Sequence, residues 1–212
     1  MLPVAMERIV KPPAVAGLFY PAERSALARE VVRLLNAARS DIFDPKAVVA
    51  PHAGLVYSGA VAATAYRSLA GGRGRIRRVV LMGPAHRVAV RGAVLPRADA
   101  FATPIGELEL DRPAMAPLLA MPDVSVDDAP FQREHSLEVH LPFIQAALGQ
   151  VTLVPMLVGA MAPERVEAVL EAVWGGPETA VIVSSDLSHY HDYETANRRG
   201  RTAEARGHRR PP

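Results

Sequence analysis

The chain has no cysteine among its 212 residues, which excludes disulfides and excludes a thiolate metal ligand from within the chain. It also has no apolar run of the roughly 18 residues that a membrane span needs. Its opening, MLPVAMERIVKPP, lacks the apolar core of a secretory signal. The expected location is the cytoplasm, with no membrane partner. Lysine is scarce: Lys11 and Lys46 stand against 22 arginines, an imbalance that fits codon composition better than phosphate binding. From Asn197 onward there are six Arg and one Glu, so +5 of charge sits there against a whole-chain +2, leaving −3 on the body. The body therefore supplies no obvious basic face for nucleic acid. The GGRG at 71–74 lacks the Lys-Ser/Thr ending of a phosphate loop.

Half of the residues are apolar, enough for one domain with a substantial core, taken as residues 1–197. Three segments share one design. AVVA at 47–50 breaks at Pro51 and places His52 just past the break. A helix is expected next, with Ser58 as N-cap and Val61, Ala65 and Leu69 as its buried stripe beside Tyr66. IRRVVLM at 76–82 runs into Gly83-Pro84-Ala85-His86, and AVIVSS at 180–185 runs into Asp186-Leu187-Ser188-His189. Short apolar, β-branched runs bounded by breakers read as buried strands. Ligands of open α/β sheets bind at the carboxyl ends of strands, so three such ends, if parallel and near, converge on one crevice. One histidine in such a loop is a hydrogen-bonded loop residue; three matching contexts indicate a site.

In chain order, KPPAVAGLFYPAE at 11–23 is an extended segment expected along a sheet edge, followed by an amphipathic helix with Leu27, Val31, Leu34, Leu35 and Ala38 inward. VAVRGAVLP and AFATPIGELELD read as short strands of a β-arm, 112–121 as a short helix and 123–133 as irregular. VTLVPMLV at 151–158 is another buried strand, and 163–174 a helix with Pro163 at its first position. Strands alternating with helices around a β-arm predict an α/β fold with a mainly parallel sheet and flanking helices.

EHSLEVH at 134–140 leads into Pro142 and an apolar run, read as one helix. Histidines five apart on a helix point about 140° from each other, so His135 and His140 are not expected to share a metal. The spacing is also not that of the HExxH zinc motif. His135 is assigned to a pocket, with Glu134 beside it to orient it, and His140 to the surface.

APHAG at 50–54, GPAH at 83–86, EHSLEVHLPF at 134–143 and IVSSDLSHY at 182–190, with AGLFYP and TPIGELELD, occur in the order that marks the Memo family, the AmmeMemoRadiSam system protein B group. Residues 10–197 resemble that family in register. The resemblance implies a fold like the LigB-like class III extradiol dioxygenases, His52 and His86 as metal ligands, and Asp186 with His189 as the acid-base pair beside a non-haem iron. It implies a dioxygenase-type activity on an unknown small molecule, or a metal-binding adaptor role on a peptide or with radical-SAM and AMMECR-type proteins. Two neutral imidazoles plus one carboxylate with open positions is a donor set that suits Fe(II), and Asp186 is the carboxylate at hand. A helix-capping role is its plainer alternative. The family's third ligand lies in a Cys-Gly segment absent here, so a C-terminally truncated fold with weak iron binding is expected. The Arg-rich residues 198–212 are expected to be disordered, as an out-of-frame ending of a high-GC gene would be.

Overall fold

The computed structural model describes residues 7–207. β1 (Val10–Lys11) opens the described chain, and α1 (Arg24–Ala37) follows, with Leu27, Val31, Leu34 and Leu35 buried. The Glu23 carboxylate starts α1 by accepting from the backbone of Ser25 and Ala26. β2 (Ala47–Ala50) then leads to α2 (Leu55–Leu69). This helix begins four residues earlier than its sequence suggested. Gly54 is its N-cap, and the Leu55 N–H is taken by the Phe19 carbonyl. The buried face runs through Leu55, Ala62, Ala63, Tyr66 and Leu69, and Val61 faces solvent.

β3 (Arg78–Pro84), β4 (Ala93–Leu95), β5 (Ala100–Thr103), β6 (Gly106–Glu109) and α3 (Arg112–Met115) come next. β7 (Val124–Val126) falls in the stretch read as irregular. α4 (Leu141–Leu148), β8 (Thr152–Val158), α5 (Pro163–Val173), β9 (Thr179–Ser184) and α6 (Tyr193–Gly207) complete the order.

The six-stranded sheet has the order β2-β9-β3-β8-β4-β7, and among its pairs only β4 with β8 is antiparallel. β3 and β8 are buried along all five of their central residues, which explains their near-continuous apolar runs. β1, β5 and β6 form a separate three-stranded sheet, so the β-arm is split: its hairpin stands apart while β4 joins the main sheet. After β1, the extended segment is tied down by Glu138, whose buried carboxylate accepts from the backbones of Ala14 and Val15, from Tyr20 Oη and from Lys11 Nζ. No described helix is long and apolar enough to cross a membrane.

Residues 198–207, expected to be disordered, continue α6, while 208–212 lie outside the described residues. Alanine, arginine and glutamate in this stretch are good helix formers, and Asp192 caps the start of α6 through the Thr195 N–H at 2.8 Å.

Candidate metal centre

Because β2, β9 and β3 are parallel neighbours, their carboxyl ends open on the same side of the sheet. His52 follows β2 and is buried. Its backbone N–H donates to Asp186 Oδ1 at 2.6 Å, and its Nδ1 lies 2.6 Å from Oγ of Ser184, the last residue of β9. His86 lies two residues past β3. Its backbone N–H donates to Glu134 Oε2 at 2.5 Å, and its Nδ1 lies 2.9 Å from Glu134 Oε1. An ionised carboxylate only accepts, so neutral His86 carries its proton on Nδ1 and keeps the Nε2 lone pair free.

His135 enters from the turn between Glu134 and α4. Glu134 Oε1 also accepts the backbone N–H of His135 and of Ser136, each at 2.9 Å. One donor atom from each of His52, His86 and His135 lies within 4.8 Å of the other two, a grouping that could hold a metal ion. Nδ1 of His135 is buried 3.2 Å from Glu134 Oε1, so the same carboxylate that holds His86 also lies against this ring. Phe19 closes over this ring at 4.6 Å between centroids.

Burial disfavours the charged form of His52 and His135, and hydrogen bonds keep the Glu134 carboxylate charged. Burial pushes the His52 pKa down to about 4, with Asp186 opposing and the two neighbouring histidines adding to the fall. His135 is lowered too, chiefly by burial. Burial alone would raise Glu134, but the His86 side chain and the N–H groups of His86 and Ser136 outweigh it and bring its pKa to about 2. Neutral imidazoles braced from behind by a carboxylate form a metal-competent donor set.

Asp186 is no helix cap. Its Oδ2 lies 3.7 Å from His52 Nε2 and 3.6 Å from His189 Nε2, approaches too long for hydrogen bonds. His189 thus stands beside the cluster with its side chain 55% exposed, while His191 is also exposed.

His140, expected at the surface, is fully buried. Its Nδ1 is 2.7 Å from Tyr66 Oη, and its Nε2 has no partner. The surface position expected for His140 and the helical angle expected between it and His135 fail for one reason: residues 134–137 are not helical, and only a 3-10 turn at Glu138–His140 precedes α4. A helical wheel does not apply to His135. Pro142 in the first turn of α4 was the available signal for that late start. Ser184 and Ser136 went unnoticed, since an isolated serine announces nothing, although Ser184 at the end of a buried apolar strand is a polar group that requires a partner.

The family model described as "Memo-like protein" matches residues 11–205. The chain belongs to the Memo family. A MEMO1 family protein of Aquifex aeolicus is 32% identical over 194 residues, covering 90% of this chain and 71% of that protein. One from Pyrobaculum arsenaticum is 35% identical over 200 residues, covering 87% and 70%. The Protein memo-1 homolog of Caenorhabditis elegans is 31% identical over 181 residues, covering 82% and 51%. In this Memo chain the third donor that could join His52 and His86 among the described residues is His135.

Proposed function

We propose that His52, His86 and His135 hold one Fe(II) ion and that the chain uses it in a dioxygenase-type oxidation of a small molecule. The observation that carries this reading is the cluster of three imidazole donors within 4.8 Å with a carboxylate-histidine pair at its edge. The three imidazoles would hold the ion, which when bound would supply binding of O₂ and of a substrate oxygen. The protein's own part is to hold and to move protons. Glu134 fixes His86 through Nδ1. Asp186 sits between His52 and His189, and the exposed His189 ring is placed to take a proton from an incoming hydroxyl.

The test is to load the purified chain with Fe(II) without air, measure bound iron per chain, and follow O₂ uptake with a panel of catechols. One iron per chain with catechol-dependent O₂ uptake is expected. Iron bound without uptake would favour the metal-binding adaptor role beside radical-SAM and AMMECR-type proteins. No bound metal at all would overturn both.

A further inference from the structure

We propose that Ser184 is a positioning residue that sets the tautomer of His52, holding its proton on Nδ1 so that Nε2 is left bare for a metal. The inference rests on the metal reading above only for its second readout.

The argument turns on counting protons. The Ser184 hydroxyl has one, and it donates that proton to the Ser136 carbonyl at 2.6 Å. A carbonyl cannot donate, so the direction of this bond is fixed. The remaining lone pairs of Ser184 Oγ face His52 Nδ1, also at 2.6 Å. Two facing lone pairs at that distance would repel, so Nδ1 must be the protonated nitrogen.

A competing pull exists on the other side of the ring. Asp186 Oδ2 lies 3.7 Å from Nε2, and a carboxylate there draws the proton toward Nε2, the tautomer that blocks metal binding. At 3.7 Å this is no hydrogen bond, whereas the serine contact is a short one. Ser184 therefore wins the contest, and its removal would hand the proton to Asp186.

The relay is anchored. Ser136 is fully buried, donates through Oγ to the Pro84 carbonyl at 2.7 Å, and donates through its N–H to Glu134 Oε1 at 2.9 Å. Ser184 is buried as well. Its hydroxyl thus has its donor direction fixed by a residue that is itself tied to the end of β3 and to the carboxylate that orients His86. Both imidazoles receive the same instruction, from a carboxylate in one case and from a serine in the other.

The first experiment needs no metal. In chelator-treated, ¹⁵N-histidine-labelled protein at pH 7.5, long-range ¹H–¹⁵N spectra, assigned with a His52→Gln variant, should show His52 protonated at Nδ1. Ser184→Ala should shift the proton to Nε2, and Ser184→Thr should restore Nδ1. The second readout is Co(II) affinity, which should fall about 10–100-fold in Ser184→Ala, the range for loss of a residue that orients a ligand, and recover in Ser184→Thr. If Ser184→Ala does not fold, Ser184→Cys, with a thiol too weak to hold the proton on Nδ1, takes its place. Nε2 protonation in the parent chain, or Nδ1 protonation with unchanged affinity in the alanine variant, would overturn the proposal. If the parent binds no Co(II), the metal reading fails while the spectra still decide the tautomer.

Discussion

Around His86 and His135 one buried carboxylate gathers four N–H groups within 2.9 Å, whereas His189, half exposed, meets Asp186 only at 3.6 Å. The loop that carries His189 also holds two non-glycine residues in the left-handed region, Leu187 at φ 57° and Tyr190 at φ 58°, each costing roughly 1–2 kcal/mol. Tyr190 is fully exposed, so little packing offsets that strain. The three-histidine cluster is thus braced by its own hydrogen bonds, and Asp186 and His189, proposed above to handle protons, sit on a segment that local fluctuations can rearrange. On the proposed function, rigidity at the histidine cluster and freedom at the His189 loop would suit a site that holds an ion constantly and a substrate briefly.

The sharpest way to break this contrast is at Glu134. Glu134→Ala leaves the N–H groups of His86, His135 and Ser136 and the Nδ1–H of His86 without their acceptor. A loss of about 4 kcal/mol in unfolding free energy is expected from that many orphaned buried donors, together with loss of Co(II) binding. Urea unfolding and metal titration read the two effects. Gly83→Ala probes the same half through packing. A Cβ there would come within 2.8 Å of Leu137 Cδ2, 3.0 Å of Ser184 Cβ and 3.2 Å of Ser136 Oγ. Overpacking of this kind costs about 1–3 kcal/mol, and it should weaken metal binding by displacing the serine relay. A stable variant with parental affinity would show that the relay tolerates displacement.

Acid should act on the rigid half first. Burial lowers His140 to about 3 and His52 to about 4, and His135 is lowered too. A depressed histidine pKa means that the unfolded chain takes the proton first as pH falls. The stability these neutral rings represent is therefore full above the ordinary value near 6.5 and is lost progressively as pH drops toward the folded values. Each contributes a slope of up to about 1.4 kcal/mol per pH unit. In metal-free protein between pH 6.5 and 5, His140→Gln should remove about a third of the slope these three residues produce. A slope unchanged by this substitution would mean that His140 takes up a proton in the folded state.

The strand ends were legible because a short apolar run stopped by Gly, Pro or Ser is decided locally, and His52, His86 and Asp186 all lie just past such stops. What brings them together was not local. β9 lies between β2 and β3, so the ends carrying His52 and His86 are not adjacent, and the strand between them supplies Ser184. The helix assumed over 134–140 hid that His135 could share a site with His52 and His86, since the Glu134 carboxylate satisfies two of that turn's own N–H groups and so replaces helical hydrogen bonds. β7 escaped notice although Val124 and Val126 alternate with Ser125, because three residues give too short a period to recognise.

The smallest effect on stability should come from the loose half. His189→Ala removes an exposed ring that makes one long approach to Asp186, so the unfolding free energy should change by less than about 0.5 kcal/mol. Co(II) affinity should be unchanged, because His189 lies outside the group of three mutually close donors. Catechol-dependent O₂ uptake, by contrast, should fall by about 10²–10⁴-fold, the usual range for loss of a general acid or base. Three separate measurements therefore move differently in one variant: stability flat, affinity flat, turnover lost. In Glu134→Ala all three fall together. Were His189→Ala to lose metal along with turnover, His189 would belong to the binding half, and the division between a fixed donor cluster and a freer proton-handling loop would have to be redrawn around four histidines.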